Sequence, residues 1–419
     1  MKDDELAVWH GIRRVGRLRR RSDRRMEFRY GSEWVRGRGF AISQSMPLDP
    51  GALTVRDERA HRFFANLLPE GGARERVVRH LRVPDDDFEL LRKLGGECAG
   101  ALSILPEGHQ PDSLDAEAYR LVPDGMFGRL VLRRGLDIEE SGSNRVVRMS
   151  LAGKQDKMTV ALRDRLILLP VGSAPSSHVL KFDSREFANV LAFECFATLL
   201  AKSAGLPVVE FELRRIGRDF IALIERYDRI RGQDGRIGRL HQEDFCQALG
   251  YRSRAKYEVG GGPSFARCFR LVRDVSDTPL DDLERLLRWQ IFNVLAGNSD
   301  GHAKNLSLLY GPDGETHLAP FYDLVPTRAI ANLDHDLALH VGGLGNPENL
   351  GPSHWESLAV ECDIRPAVVM SLVQESAESL MANLPLTRER FEDLHGRFPA
   401  MQRVERVVQH QCRRAMRPD

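Results

Sequence analysis

Residues 298–305 read Asn298-Ser299-Asp300-Gly301-His302-Ala303-Lys304-Asn305, and this octet decides how the rest of the chain is read. Four residues separate Asp300 from Asn305. That is the spacing of a phosphoryl-transfer loop, in which the Asp takes the proton of the attacking hydroxyl and the Asn holds a magnesium ion. The setting gives a common residue pair its weight. Before the loop, Leu283, Leu287, Ile291 and Val294/Leu295 share one face of Leu280–Leu295, so the spacing predicts a helix ending at Gly297. After it, Leu306–Tyr310 and His317–Phe321 read as two short strands around Gly311-Pro312-Asp313-Gly314. Asp323, in Phe321-Tyr322-Asp323-Leu324, then stands where a second metal-holding carboxylate is needed.

With 419 residues the chain exceeds one ordinary core. Its 42% apolar and 29% charged residues are usual for a soluble globular protein. No apolar run reaches the roughly 20 residues of a membrane span. The acidic start, Met1-Lys2-Asp3-Asp4-Glu5, lacks the apolar region of a signal peptide. Cys98, Cys195, Cys246, Cys268, Cys362 and Cys412 form no C-x-x-C pair and read as buried thiols of a reducing compartment, so the cytoplasm is expected. Net charge is +1, yet nine Arg fall between Arg13 and Arg29 against Asp23 and Glu27. This run reads either as a nucleic-acid contact surface or as edge strands with Arg at their outward positions.

Along the chain, residues 6–45 read as short strands with turns at Gly11, Gly16, Gly31 and Gly37-Arg38-Gly39. Residues 57–93 read as helical, with a stripe of Ala60, Phe63, Phe64, Leu67 and Leu68 stopped by Pro69-Glu70-Gly71-Gly72. A Gly-rich turn, residues 94–101, leads to Leu102–Leu105, and a boundary is drawn near 106. Hairpins are expected at Met158–Leu162/Leu166–Pro170 and at Val208–Leu213/Phe220–Ile224, with a strand at Val179–Phe182 and a helix at Phe187–Ser203. From about 240 onward the chain reads as mostly helical.

Phosphoryl transfer rests on positioning and charge neutralisation, so four further parts are sought. Ser150-Leu151-Ala152-Gly153-Lys154-Gln155-Asp156-Lys157 is a small, polar, basic loop, read as a phosphate cradle or as a plain turn. Lys181, between Leu180 and Phe182, is the candidate phosphate clamp; its alternative is a solvent-facing lysine. Glu194 interrupts an apolar helix and could hold Lys181, or could lie on the solvent face. Ile224-Glu225-Arg226-Tyr227-Asp228-Arg229 fits a connector that reads adenine, framed by Glu225 and Tyr227. His302 takes the place of a γ-phosphate-contacting residue, with Lys304 two residues on. Gly260-Gly261-Gly262 and His241-Gln242-Glu243-Asp244 remain without a chemical role.

Together these stretches resemble the HipA family, the kinase-fold toxins of bacterial toxin–antitoxin operons. The resemblance is carried by Arg62–Gly71, Gly95–Ala101, Ser150–Lys157, Arg239–Gly250, and Asn298–Leu306 with Tyr322-Asp323. It implies a Ser/Thr protein kinase using ATP and magnesium. It further implies an aminoacyl-tRNA synthetase as protein substrate and inactivating autophosphorylation, here at Ser150. The implied partner is a separate HipB-like helix-turn-helix antitoxin that carries the complex to operator DNA. Lys154 and Asp156 depart from the family pattern, placing an extra cation beside the phosphates.

The fold class expected is α+β: a two-lobed protein-kinase-like fold with a fused small N-terminal α+β domain and a mainly helical C-lobe. The division is 1–106, 107–230 and 231–419. Asp300 and Lys181 are the catalytic candidates, with Asn305 and Asp323 as metal ligands. Nucleotide contacts are assigned to Ser150, Ala152, Gly153, Lys154, Gln155, Lys157, Lys181, Glu225, Tyr227, His302, Lys304 and Tyr322. Rival readings are a non-catalytic kinase-fold binding protein acting with antitoxin and operator DNA, and a small-molecule phosphotransferase.

Overall fold

In the computed structural model, which describes residues 4–111, 119–135, 153, 155–171, 174–217 and 219–417, the apolar positions near the start of the chain build a first sheet. Its strands are β1 (Glu5–His10), β2 (Arg13–Arg20), β3 (Met26–Tyr30), β4 (Thr54–Val55) and β5 (Leu102–Pro106), in the order β4-β3-β2-β1-β5. Leu6, Val8, Val15, Leu18 and Phe28 pack against Trp34 of α1 (Ser32–Arg36), Phe63 and Phe64 of α2 (Glu58–Ala65), Val77 of α3 (Gly71–Leu81) and Phe88 and Leu91 of α4 (Asp87–Leu94). Each such fully buried side chain contributes about 1.5–3 kcal/mol. Asp57 caps α2 through Arg59 N (2.9 Å), and Asp86 caps α4 through Phe88 N (3.0 Å).

Three expectations change here. The helical stretch 57–93 is three helices, because the turn at Pro69 ends one and releases the next at Gly71. Gly16 is no turn: it lies inside β2, where a Cβ would meet Arg29 O at 2.3 Å and the Phe28 ring at 2.7 Å, so glycine lets β3 approach. The arginine-rich β2 is an interior strand, not an edge. Its charges are matched by Glu107 with Arg14 (2.7 Å), Glu5 with Arg17 (3.1 Å) and Asp4 with Arg20 (2.7 Å).

The second sheet joins β6 (Tyr119–Leu121), β7 (Lys157–Arg163), β8 (Leu166–Pro170), β9 (His178–Phe182), β10 (Phe211–Ile216) and β11 (Asp219–Glu225) in the order β10-β11-β9-β7-β8-β6, accompanied by α5 (Asp124–Leu132). Met158, Val160, Leu180, Phe182, Ile221 and Leu223 form its core. Then come the hairpin β12 (Arg229–Arg231)/β13 (Ile237–Arg239), β14 (His241–Asp244) and the short α7 (Phe245–Ala248), closed by reciprocal Asp244/Gln247 capping.

Apart from the first three residues of β10, these elements belong to one compact unit, Met1–Phe182, Arg214–Ser253 and Leu309–Gly314; the other comprises Asp183–Leu213, Arg254–Leu308 and Glu315–Asp419. Within the first unit the Gly-rich turn before β5 is tied to the connector after β11 by buried charge. Glu97 accepts from Ser176 Oγ (2.7 Å), Arg229 (2.8 Å), Arg226 (3.1 Å) and Arg239. Asp228 accepts from Arg226 (2.8 and 2.9 Å) and from Gly100 N (2.7 Å).

The second unit is mostly helical: α6 (Val190–Ser203), α8 (Phe265–Val275), α9 (Pro279–Ala296), α10 (Pro352–Glu361), α11 (Pro366–His395) and α12 (Met401–Ala415), with β16 (Thr316–Leu318) and the first two residues of β15 (Ser307–Tyr310). Helix α9 packs against α8, α11 and α12. It opens with Pro279 and the first-turn acids Asp281 and Asp282, and Gly297 ends it at φ 77°. No helix among the described residues is long and apolar enough to cross a membrane.

Candidate active site

The loop that follows Gly297 is built by hydrogen bonds from every side. Asn293 O accepts Asn298 N (2.8 Å), and the Asn298 amide donates to Asn293 Oδ1 (3.0 Å) while its own oxygen accepts Asp300 N (3.2 Å). Ser299 is held by Thr327 Oγ1 (2.9 Å), by His335 O (2.7 Å) and by Ala338 N (2.8 Å). This scaffold leaves Asp300 exposed between buried neighbours on both sides. Its Oδ1 accepts the Tyr257 hydroxyl at 2.7 Å. Asn305 donates its amide nitrogen to Asp300 O (3.1 Å), which makes the amide oxygen the end available as a ligand.

Asp323 is delivered by a strand-like segment. Pro207 O accepts Phe321 N (2.8 Å) and Phe321 O accepts Val209 N (3.1 Å), fixing the chain two residues upstream. Asp323 itself has φ 61°, an unusual backbone for a non-glycine residue. Its carboxylate is near enough to favour protonation of His302, but burial and the Lys256 ammonium outweigh it and hold His302 well below its ordinary range. Tyr322 donates to Lys304 O (2.9 Å) and is joined to Ser307 Oγ (2.8 Å), so its phenol braces the loop. An amide oxygen and a carboxylate on rigid backbone are hard-oxygen donors of the kind magnesium takes, one or two at a time beside substrate phosphates. The residues present fit that ion.

The nucleotide-binding candidates of the first unit also have defined places. Lys181 in β9 pairs across the sheet with Lys157 of β7, so the two ammonium-bearing chains stand on one face. Lys181 is buried, not solvent-facing, at 5% exposure. A Cβ on Gly153 would lie 2.7 Å from Lys157 Nζ, which places that ammonium against the glycine's backbone. Gly153 O accepts Glu70 N (3.1 Å), and the Gln155 amide donates to Phe182 O (3.1 Å). Asp156 is clamped by Arg76 (2.5 and 2.9 Å) and Arg134 (3.0 Å). Glu225 is exposed at the end of β11, and Tyr227 donates to the Gln242 side chain. Ser150, Leu151, Ala152 and Lys154 lie outside the described residues. Glu194, in α6 of the second unit, is buried and so is not on a solvent face.

Sequence reasoning missed Lys256 and Tyr257. Lys256 is buried, its carbonyl accepts Ala303 N (3.4 Å), and its Nζ is 5.7 Å from the Tyr257 ring centroid. The only local signal was Gly260-Gly261-Gly262, whose first and last amides both close onto Tyr257 O (3.1 and 3.0 Å).

A family model for the HipA-like C-terminal domain matches residues 149–384, and one for the HipA N-terminal domain matches 6–105. The chain belongs to the HipA family. Its curated relatives include the "Putative kinase Y4mE" of Sinorhizobium fredii, 35% identical over 93% of this chain and 94% of that one. Another is the "Serine/threonine-protein kinase toxin HipA" of Shewanella oneidensis, 28% identical over 77% of this chain and 74% of that one. The solved HipA, HipB and operator DNA complex of Shewanella oneidensis MR-1 contains a chain of the same fold, with a TM-score of 0.81 at 23% identity and coverage of 98% and 96%. The α+β, kinase-like HipA fold expected from the sequence is thus present, and the enzyme class is serine/threonine kinase, an ATP-dependent phosphotransferase.

Proposed function

We propose that this HipA-family kinase transfers the γ-phosphate of ATP to a protein hydroxyl on an aminoacyl-tRNA synthetase and so arrests translation in the cytoplasm. The observation that carries this reading is the Asp300 loop, where a surface carboxylate stands on a scaffold that also orients Asn305. Asp300 takes the acceptor proton. Lys181, supported by Lys157 on the same face, holds the phosphates. His302 and Lys304 belong to the Asp300 loop and are assigned to nucleotide contact there. Glu225 and Tyr227 frame the adenine. A magnesium ion held by Asn305 and Asp323 would neutralise charge on the β- and γ-phosphates. The division at 106 and 230 separates an N-terminal module, a nucleotide-holding lobe and a catalytic lobe.

Restraint is assigned to Ser150 and to a HipB-like antitoxin that ties the kinase to operator DNA. Phosphoserine adds about −1.5 to −2 charge, which in a loop meant for ATP phosphates repels them. The test is phosphoproteomics after induced expression of wild type and Asp300→Asn. The expected result is new phosphosites on a synthetase in wild type alone, with transfer down about 10²–10⁴-fold in the variant. Identical phosphoproteomes in the two would overturn the assignment. Intact-mass and peptide mapping after incubation with Mg-ATP checks Ser150.

A further inference from the structure

Tyr257 occupies one oxygen of the catalytic carboxylate. Its hydroxyl donates to Asp300 Oδ1 at 2.7 Å, although the two residues are 43 apart in sequence. Three features fix that phenol. The backbone on its C-terminal side winds onto its own carbonyl, which accepts Gly260 N at 3.1 Å and Gly262 N at 3.0 Å. Next in sequence, Glu258 is held at both ends: its N–H donates to Ala338 O (2.9 Å) and its carboxylate accepts His340 N (2.8 Å). Ala338 in turn donates to Ser299 O (2.8 Å), the residue before Asp300. Finally, the Tyr257 ring stands edge-on to the buried His302 ring, 5.3 Å between centroids at 80°.

A base works only if its lone pair faces the hydroxyl it deprotonates, and a carboxylate on a loop rotates about its last bond unless something holds it. We infer that Tyr257 is a positioning residue for this kinase: by holding Oδ1 it sets the plane of the Asp300 carboxylate. Lys256 and the glycine run form the mount for that phenol. The step balances simply: the acceptor hydroxyl gives its proton to the Asp300 carboxylate, its oxygen forms the bond to the γ-phosphorus, and the bond from that phosphorus to ADP breaks as ADP leaves. Tyr257 keeps its own proton throughout. This rests on the reading of Asp300 as the base.

The test compares wild type, Asp300→Asn and Tyr257→Phe as full chains, by steady-state ADP release from Mg-ATP with water or the chain's own hydroxyls as acceptor. Phenylalanine keeps the ring on His302 and removes only the donor. The expected result is a kcat lower by roughly 10- to 100-fold in Tyr257→Phe, with unchanged KM for ATP and unchanged melting temperature. A wild-type kcat in Tyr257→Phe while Asp300→Asn is inactive overturns the positioning role. A faster Tyr257→Phe does so too, because the phenol would then be an obstruction. A lowered melting temperature with weakened ATP binding would make Tyr257 merely structural and likewise overturns it. Turnover in Asp300→Asn equal to wild type would instead remove the base assignment itself.

Discussion

Glu97 and Arg226 form an ion pair of 3.1 Å whose side chains are 0% and 3% exposed. Removing one member of such a pair leaves uncompensated buried charge and costs about 3–5 kcal/mol. Glu97→Ala is expected to do so, since Arg226, Arg229 and Arg239 all converge on it. The surrounding guanidiniums hold the Glu97 carboxyl far below its usual range despite burial, and Asp228 is lowered to about 2. Both contribute stability that is fully present above the unfolded carboxylate values and is lost as pH falls through the acid range. Calorimetric unfolding of wild type from pH 7 down to 3 should show that loss, and Glu97→Ala should show less of it.

Glu243 behaves in the opposite sense. It accepts Tyr310 (2.5 Å), Gln44 N (2.9 Å) and Ser43 (2.6 Å), yet burial outweighs these donors and pushes it up to about 7. The folded state therefore keeps a proton that the unfolded chain releases near 4.5. Its contribution is full below that value and is lost as pH rises through 7. Glu243→Gln should be more stable than wild type at pH 8 by about 1–3 kcal/mol, and close to it at pH 5. What then remains should carry the sign of His241, which burial lowers to about 4, so stability climbs with pH between 4 and 6.5. Urea midpoints at pH 5 and pH 8 decide this; a wild type more stable than Glu243→Gln at pH 8 would refute it.

The helix before the loop, its glycine stop, the hairpin after it and the strand bearing Lys181 were legible because each rests on local periodicity and turn chemistry. The grip on Asp300 was not. Tyr257 reaches it from 43 residues away, and no spacing rule links a tyrosine to a loop that distant. Glu97 and Arg226, 129 residues apart, were likewise invisible as partners. Gly16 misled because a glycine in a strand looks like a turn until the neighbouring strand's Phe28 ring is known to need the space.

Gly297→Ala tests how strictly α9 must stop. The position has φ 77°, and a Cβ would stand 2.5 Å from Val407 Cγ1 and 3.3 Å from the Arg328 Cβ. Left-handed backbone alone costs a non-glycine residue about 1–2 kcal/mol. The clash adds to that, and either relief, shifting α12 or moving the loop entry, disturbs the residues leading to Asp300. Expected are a lower melting temperature and a lower kcat together. A stable, fully active Gly297→Ala would show that the loop does not depend on this stop.

Asn305 and Asp323 should act on nucleotide binding through magnesium alone. Alanine at either position removes an oxygen donor, so Mg-ATP affinity should fall by roughly tenfold or more. ATP affinity measured with a chelator in place of magnesium should change little. Asn305→Ala also deletes the donor to Asp300 O, and Asn305→Asp separates the two effects. The carboxylate keeps a metal-binding oxygen but cannot donate to that carbonyl, so Mg-ATP affinity should survive while kcat drops. Isothermal titration with and without magnesium provides both readings. Unchanged Mg-ATP affinity in Asn305→Ala and Asp323→Ala alike would remove the metal role from this pair.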